Sequence, residues 1–269
     1  MLNYNLFEVI MIKFENITDD IMRLKVPFEN IYTAVFLVKC NGGYVLIDAA
    51  SGQHDAEEII IPAIKEYAGL DEIKYIFCTH LHGDHGGGIR FLLPFLNNAK
   101  VAAASKRAIE LYGEEKVLTV SDGDDLLGLK VVHLPGHSPD ACGIMDARTN
   151  TFISGDAVQL YGITRYGCGV GMPGEYIRSL KRLLDMPIDT LVASHEYYPL
   201  GSVATGDGVH IYINEAIFDF ERISKFAISN KELGDAVAIT AAFMSEARKS
   251  EPDIPSLQSS TVRAILQSI

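Results

Sequence analysis

Three imidazoles and a carboxylate fall within six positions of this chain, in Thr79-His80-Leu81-His82-Gly83-Asp84-His85-Gly86-Gly87-Gly88. The run follows an apolar segment, Ile73 to Cys78, that reads as a strand. While the backbone stays extended, His80 and His82 lie two apart and share a face. Asp84 and His85 come after the turn and reach a second point beside the first. Three more residues of these types stand in similar places: His137 in Leu134-Pro135-Gly136-His137-Ser138-Pro139, Asp156 in Ile153-Ser154-Gly155-Asp156, and His195 in Val192-Ala193-Ser194-His195. A lone histidine at a strand end is ordinarily solvated or hydrogen-bonded. The ordered set H-x-H-x-D-H, His, Asp, His is far more specific. Imidazole and carboxylate together suit zinc, with iron or manganese as alternatives. The expectation is two divalent transition-metal ions held close together.

These residues need a framework of strands that end at one place. Ile21–Val26, Thr33–Lys39 and Tyr44–Asp48 read as strands, with Asn41-Gly42-Gly43 as a hairpin turn between the last two. Gln53 to Ala68 has the apolar spacing of a helix, although Pro62 inside it points to a first turn there. Strands follow at Tyr75–Cys78, Val101–Ala104, Val117–Val120, Leu129–Leu134, Ala141–Asp146, Thr151–Ser154 and Thr190–Ala193. Helices are expected over Gly88 to Phe95, Lys106–Tyr112 and Glu175–Met186. From about Thr205 onward only helical patterns remain. The predicted organisation is a mixed α/β (α+β) domain over 1–200 and a helical extension over 201–269 that packs on it.

Composition narrows the partners. The chain has 269 residues, 48% of them hydrophobic, enough for a sizeable core. Its formal net charge of −12 disfavours a nucleic acid, whose binding rests on Lys and Arg neutralising phosphates. No segment is long and apolar enough to span a membrane, and the first fifteen residues lack the pattern of a signal peptide. Cys40, Cys78, Cys142 and Cys168 lie far apart without C-x-x-C spacing, which fits free thiols in a reducing compartment. The expectation is a cytoplasmic protein acting on a small molecule, without a nucleic-acid or membrane partner. A homodimer is left open.

From about Ile21 to His195 the chain resembles the metallo-β-lactamase-fold hydrolase superfamily, through Asp48, the H-x-H-x-D-H loop, His137, Asp156 and His195. The resemblance implies an αββα four-layer sandwich with its metals in a groove at the strand ends. It implies that His80, His82 and His137 bind one metal, that Asp84, His85 and His195 bind the other, and that Asp156 bridges them. Asp48 would hold the metal loop by hydrogen bonds, with capping of the following helix as the competing reading. The spacing is nearest the glyoxalase II and lactonase branch. Flavodiiron-type relatives usually carry Glu where His82 stands. In two places the chain departs from the pattern: Asp140 stands where a small residue is common, and Ser194 where Gly is common.

The expected activity is hydrolysis of a small ester, thioester or lactone by a bridging hydroxide on a binuclear site. The alternatives are a mononuclear non-haem iron dioxygenase of the persulfide type on the same fold, and a phosphodiester hydrolase. Asp84 is a candidate proton acceptor as well as a ligand. Tyr161 and Tyr166, soon after Asp156, are candidate donors to a developing oxyanion, with core or rim packing as the competing reading. Tyr197 and Tyr198 have a similar claim. A helix from Thr205 to about Phe226, with Ile211, Ile217, Phe218 and Phe220 among its apolar positions, is expected to wall the substrate pocket, with cover of an outer sheet face as the competing reading. In glyoxalase II-like proteins, basic residues of the tail hold the glutathione carboxylates. Arg248-Lys249 is the only close basic pair near that region here; a solvated helix face accounts for it equally well, and glutathione binding is not carried over to it.

Overall fold

The computed structural model describes residues 12–28, 31–161 and 169–269. Tyr166 and Cys168 lie outside them. Two sheets form the centre. In the first sheet, β1 (Glu15–Asn16), β2 (Ile21–Phe28), β3 (Ile31–Cys40), β4 (Gly43–Ile47), β5 (Ile73–Phe77), β6 (Lys100–Ala103) and β7 (Val117–Thr119) lie side by side in chain order. Strands β1 to β4 pair antiparallel, and β4 to β7 pair parallel. The turn from β3 to β4 places Gly42 at φ 93°, a backbone region that glycine adopts without steric cost.

The second sheet has the order β13-β12-β11-β10-β9-β8. Its strands are β8 (Asp125–Leu126), β9 (Leu129–His133), β10 (Cys142–Asp146), β11 (Thr151–Ile153), β12 (Thr190–Tyr197) and β13 (Gly201–Thr205). Strands β11 and β12 pair parallel, and the other neighbours pair antiparallel. Strand β13 begins just past the 200/201 boundary expected from the sequence, so this sheet takes in the first five residues of the expected extension.

Helices cover both outer faces. A wide turn at Asp55–Ile60 runs into α1 (Ile61–Lys65), with Pro62 in the first turn of α1. The short helices α2 (Gly83–Gly86), α3 (Ile89–Leu92) and α4 (Arg107–Tyr112) complete that layer. On the other side lie α5 (Pro173–Leu184), α6 (Asp207–Ser229), α7 (Ala236–Ser250) and α8 (Ser259–Gln267). Three apolar clusters fill the three spaces of this αββα arrangement. Phe36, Val38, Ile47 and Phe77 of the first sheet meet Val131, Ile144, Ile153 and Val192 of the second. Leu37, Leu46 and Ile76, on the opposite face of the first sheet, meet Ile60, Ile64, Ile89 and Leu92. The third cluster joins Phe152 and Leu191 to Leu180, Tyr212, Phe220, Ile239 and Val262. The period-2 alternation of the strands is what feeds apolar side chains to both faces of each sheet.

The tail helices therefore pack over the outer face of the second sheet. The buried apolar positions of α6 are Val209, Tyr212, Ile213, Ala216, Phe220, Ile223 and Ala227, a helical spacing. Ile211 and Phe218, apolar positions of the same helix, are 60% and 56% exposed. Counting apolar residues selects the helix but not its buried face. Among the described residues no helix is long and apolar enough to cross a membrane. Cys40, Cys78 and Cys142 are free and buried.

Candidate metal centre

The strand ends deliver the candidate ligands to one place. His80 follows β5 by three residues, His137 lies beyond β9, Asp156 beyond β11, and His195 lies within β12 where the pairing to β13 shifts register. The expected strand stopped at Ala193; the bulge lets it continue while His195 turns inward. The glycines after His85 allow close approach. A Cβ on Gly88 would stand 1.9 Å from the Ala49 carbonyl oxygen. Gly155, before Asp156, sits at φ 55°, and a Cβ there would stand 2.7 Å from the Thr79 Cβ.

Three nitrogens converge at the first locus. His82 Nδ1 lies 3.0 Å from His80 Nε2 and 2.8 Å from His137 Nε2, and the last two are 3.2 Å apart. The outer nitrogens of His80 and His137 are already engaged. His137 Nδ1 donates to the Gly169 carbonyl at 2.5 Å. The Thr79 hydroxyl donates to Asp48 Oδ2 at 2.9 Å, so its oxygen accepts from His80 Nδ1 at 3.1 Å. Both imidazoles thus turn a bare Nε2 lone pair inward. His82 has a single hydrogen to offer and cannot satisfy both. A cation satisfies all three at once.

The second locus is built from His85, His195, Asp84 and Asp156. His85 Nδ1 donates to Asp48 at 2.8 Å, and His195 Nδ1 donates to the Tyr32 carbonyl of β3 at 2.8 Å. Their Nε2 atoms stand 3.5 and 3.4 Å from Asp156 Oδ1, and 3.6 and 3.5 Å from Asp84 Oδ2. Those separations are long for hydrogen bonds. Two atoms bound tetrahedrally to one zinc ion at about 2.0–2.1 Å would stand about 3.3–3.4 Å apart. His85 Nε2 and Asp156 Oδ1 are buried and lack a hydrogen-bond partner. The donor set fits metal ions. The side chains gather into three overlapping groups: His80, His82, His137; His80, His85, Asp156; and Asp84, His85, His195.

Electrostatics differ between the loci. Burial and the neighbouring imidazoles of His85 and His137 hold His80 well below the usual histidine range, which leaves it a neutral ligand. Burial also pulls on His85 and His195, but Asp156 and Asp84 outweigh it. His85 is raised well above the ordinary value and His195 to about 9. Burial pushes the Asp156 carboxyl up, yet His195 and His85 bring it well below the usual carboxylate range.

Asp48 is fully buried and takes three hydrogen bonds: from Thr79 N at 2.8 Å, from the Thr79 hydroxyl, and from His85. These are the bonds to the metal loop expected of it. Gln159 was not anticipated. Its amide oxygen accepts from Gly169 N at 2.7 Å and its amide nitrogen donates to Asp156 Oδ2 at 3.4 Å. It steadies both Asp156 and the residue whose carbonyl orients His137. A Gln three residues after Asp156 was its only sequence trace.

Tyr161 requires a correction. Its hydroxyl accepts a 2.5 Å hydrogen bond from Arg222 of α6, and the Asp219 carboxyl lies beside it. Its ring packs near Tyr198 and under the Arg222 guanidinium. The expected oxyanion donor is thus a strut between the chain after Asp156 and the helical tail. Tyr197 packs its ring against His195, and Arg248 donates to Ser256 on the rim of the tail. A cavity of about 590 Å³ lies between α6 and α7, between Phe226 and Phe243 and beside Arg222.

An αββα sandwich with a histidine–aspartate centre at its strand ends defines a class of metal-binding protein. The family model described as "Metallo-beta-lactamase superfamily" matches residues 30–195, and the chain belongs to that superfamily. A hydroxyacylglutathione hydrolase of Aeromonas hydrophila is 28% identical over 174 residues, 61% of this chain and 61% of the relative. One from Prochlorococcus marinus (strain MIT 9312) is 33% identical over 156 residues, 52% of this chain and 60% of the relative. The chain therefore spans about three-fifths of the length of the curated relatives it matches. Among solved structures, a metallo-beta-lactamase from Pontibacter korlensis superposes with a TM-score of 0.60 at 18% identity, over 77% of this chain and 99% of the other. A flavoprotein from Thermotoga maritima gives 0.63 at 22% identity, over 80% and 62%. Those two likenesses concern the fold.

Proposed function

We propose that the protein is a binuclear metal-dependent hydrolase of a small ester, thioester or lactone. The observation that carries the reading is the pair of convergent ligand sets in which His80, His137, His85 and His195 each have the outer nitrogen already hydrogen-bonded. The presence of Asp84, His85 and His195 as a complete second set favours two metal ions over one. The hydroxyacylglutathione hydrolases among the relatives support a thioester or related acyl substrate. His82, rather than the Glu usual in flavodiiron-type relatives, speaks against oxygen reduction.

His80, His82 and His137 would hold one cation, Asp84, His85 and His195 the other, and Asp156 would join them. Zinc suits this donor set best; iron or manganese remain compatible with it. Two bound cations supply a water that ionises near neutral pH and an electrophile for the substrate's carbonyl oxygen. The chain's residues fix where that happens. Asp48, Thr79, Tyr32 and Gly169 lock the imidazole orientations. The Asp84 side chain is 20% exposed and so faces the groove. Burial raises its pKa, but His85 and His195 bring it below the ordinary value, which makes it a better ligand than proton acceptor.

Elemental analysis of protein grown in zinc- and iron-replete medium tests the centre; about two transition-metal ions per chain are expected. A screen of thioesters, lactones and phosphodiesters tests the bond. Trace metal only would overturn the binuclear reading, and turnover of phosphodiesters alone would overturn the acyl reading.

A further inference from the structure

The Asp140 carboxylate has two partners in the structure. Oδ2 accepts from the Leu81 backbone N–H at 3.1 Å, and Oδ1 accepts from the Ser138 hydroxyl at 2.8 Å. Leu81 is the residue between His80 and His82. Ser138 follows His137 and is buried. A single carboxylate therefore bridges the two loops that supply all three nitrogens of the first locus. One backbone bond runs alongside it, from Cys142 N to the Thr79 carbonyl at 2.8 Å. No comparable side chain ties the Asp84-His85 segment to the His137 loop among the described residues.

We propose that Asp140 is a positioning residue for the His80–His82–His137 site, a clamp that sets the separation of the two loops before a cation arrives. The inference rests on the metal-centre reading above. His82 is the exposed member of the trio, and among the described residues its outer nitrogen has no partner of its own. It lacks the bond that orients each of the other imidazoles, so its direction depends on the backbone at Leu81. The Leu81 N–H is the group Asp140 holds. Outer-shell partners of this kind are worth ~10–100-fold in metal affinity.

Chemistry separates the clamp from a charge effect. In Asp140→Asn, the amide oxygen can still accept from Leu81 N, and the amide N–H can donate to the Ser138 oxygen once that hydroxyl rotates. Both links survive without the charge. In Asp140→Ala both are lost.

The test is competition of Zn²⁺ between each variant and a chelator, with Co²⁺ absorption to report the ligand set of each site. Wild-type protein should take up two ions, which checks the underlying reading independently of the variants. Asp140→Ala should lose ~10–100-fold at one site only. Its retained Co²⁺ spectrum should match that of His137→Ala, which leaves the Asp84–His85–His195 set intact. Asp140→Asn should stay within ~3-fold of wild type, on the argument that geometry carries the effect. Equal affinity of wild type and Asp140→Ala at both sites overturns the clamp. So does an equal loss at both sites, or an Asn variant as weak as the Ala variant. If wild-type protein binds no metal, the metal-centre reading itself fails, and the clamp with it.

Discussion

Replacing Asp219 by Asn should stabilise this protein near neutral pH. Asp219 lies on the buried face of α6, 1% exposed, with its carboxyl beside the Tyr161 hydroxyl. Burial pushes its pKa from 3.8 to about 8, with Tyr161 and Arg222 opposing and Glu215 and Glu251 assisting. The folded-state value is raised above the unfolded one. Its contribution to stability is therefore fully present below pH 3.8, declines as pH rises, and is lost as pH passes about 8. Each pH unit in that window costs ~1.4 kcal/mol. At pH 7 the interval from 3.8 is about three units, which gives an upper value of ~4 kcal/mol. Asn keeps the volume and cannot ionise. The assay is urea denaturation of both proteins from pH 5 to 8 with zinc in excess, so that the contribution of bound metal cancels in the difference. The advantage of the Asn variant should grow by ~1 kcal/mol per pH unit. Parallel stability curves, or a less stable Asn variant at pH 7, would show that the carboxylate is ionised and stabilised in the fold.

Other outcomes concern the metal centre. Asp48→Ala strips acceptors from Thr79 N, the Thr79 hydroxyl and His85; it should cost ~2–5 kcal/mol and ~10–100-fold in zinc affinity, read by thermal melting and chelator competition. Asp156→Ala should deplete metal at both loci and His195→Ala mainly at one, and identical metal contents in the two variants would contradict the shared role of Asp156. Because Asp156 and Asp84 raise His85 well above its ordinary value and His195 to about 9, both imidazoles are protonated at pH 7 before a metal binds. Zinc loading at pH 7 should then release about two protons from this locus, measured by titration calorimetry in buffers of different ionisation enthalpy, with affinity rising up to about pH 9.

The seven candidate ligands were legible because they stand at or near the ends of short apolar strands, a pattern that survives in one dimension. The major strands were legible for the same reason. Strands β1 and β8, two residues each, are too short to show any alternation, and β13 was hidden by the Pro199-Leu200-Gly201 turn before it. The covered face of α6 was not legible, since a helix apolar on more than one side, as at Ile211 and Phe218, does not say which side is covered. The hydrogen bonds that aim the ligands were mostly invisible. The carbonyls of Tyr32 and Gly169 leave no trace in residue type, and the role of Gln159 depends on which loop folds over it.

The two ligand sets divide between the sheets in the same way. His80, His82, Asp84 and His85 hang from the end of β5 in the first sheet, while His137, Asp156 and His195 belong to the second. Every group of ligands draws on both. A bound cation therefore acts as a rivet through the sandwich, and binding energy gained at the centre resists sliding of one half of the molecule over the other. Chelation should loosen the seam between the halves first. Amide exchange should quicken at the ends of β5 and β9 well before it does at their middles, so the fold would come apart along the plane on which its chemistry is proposed to take place.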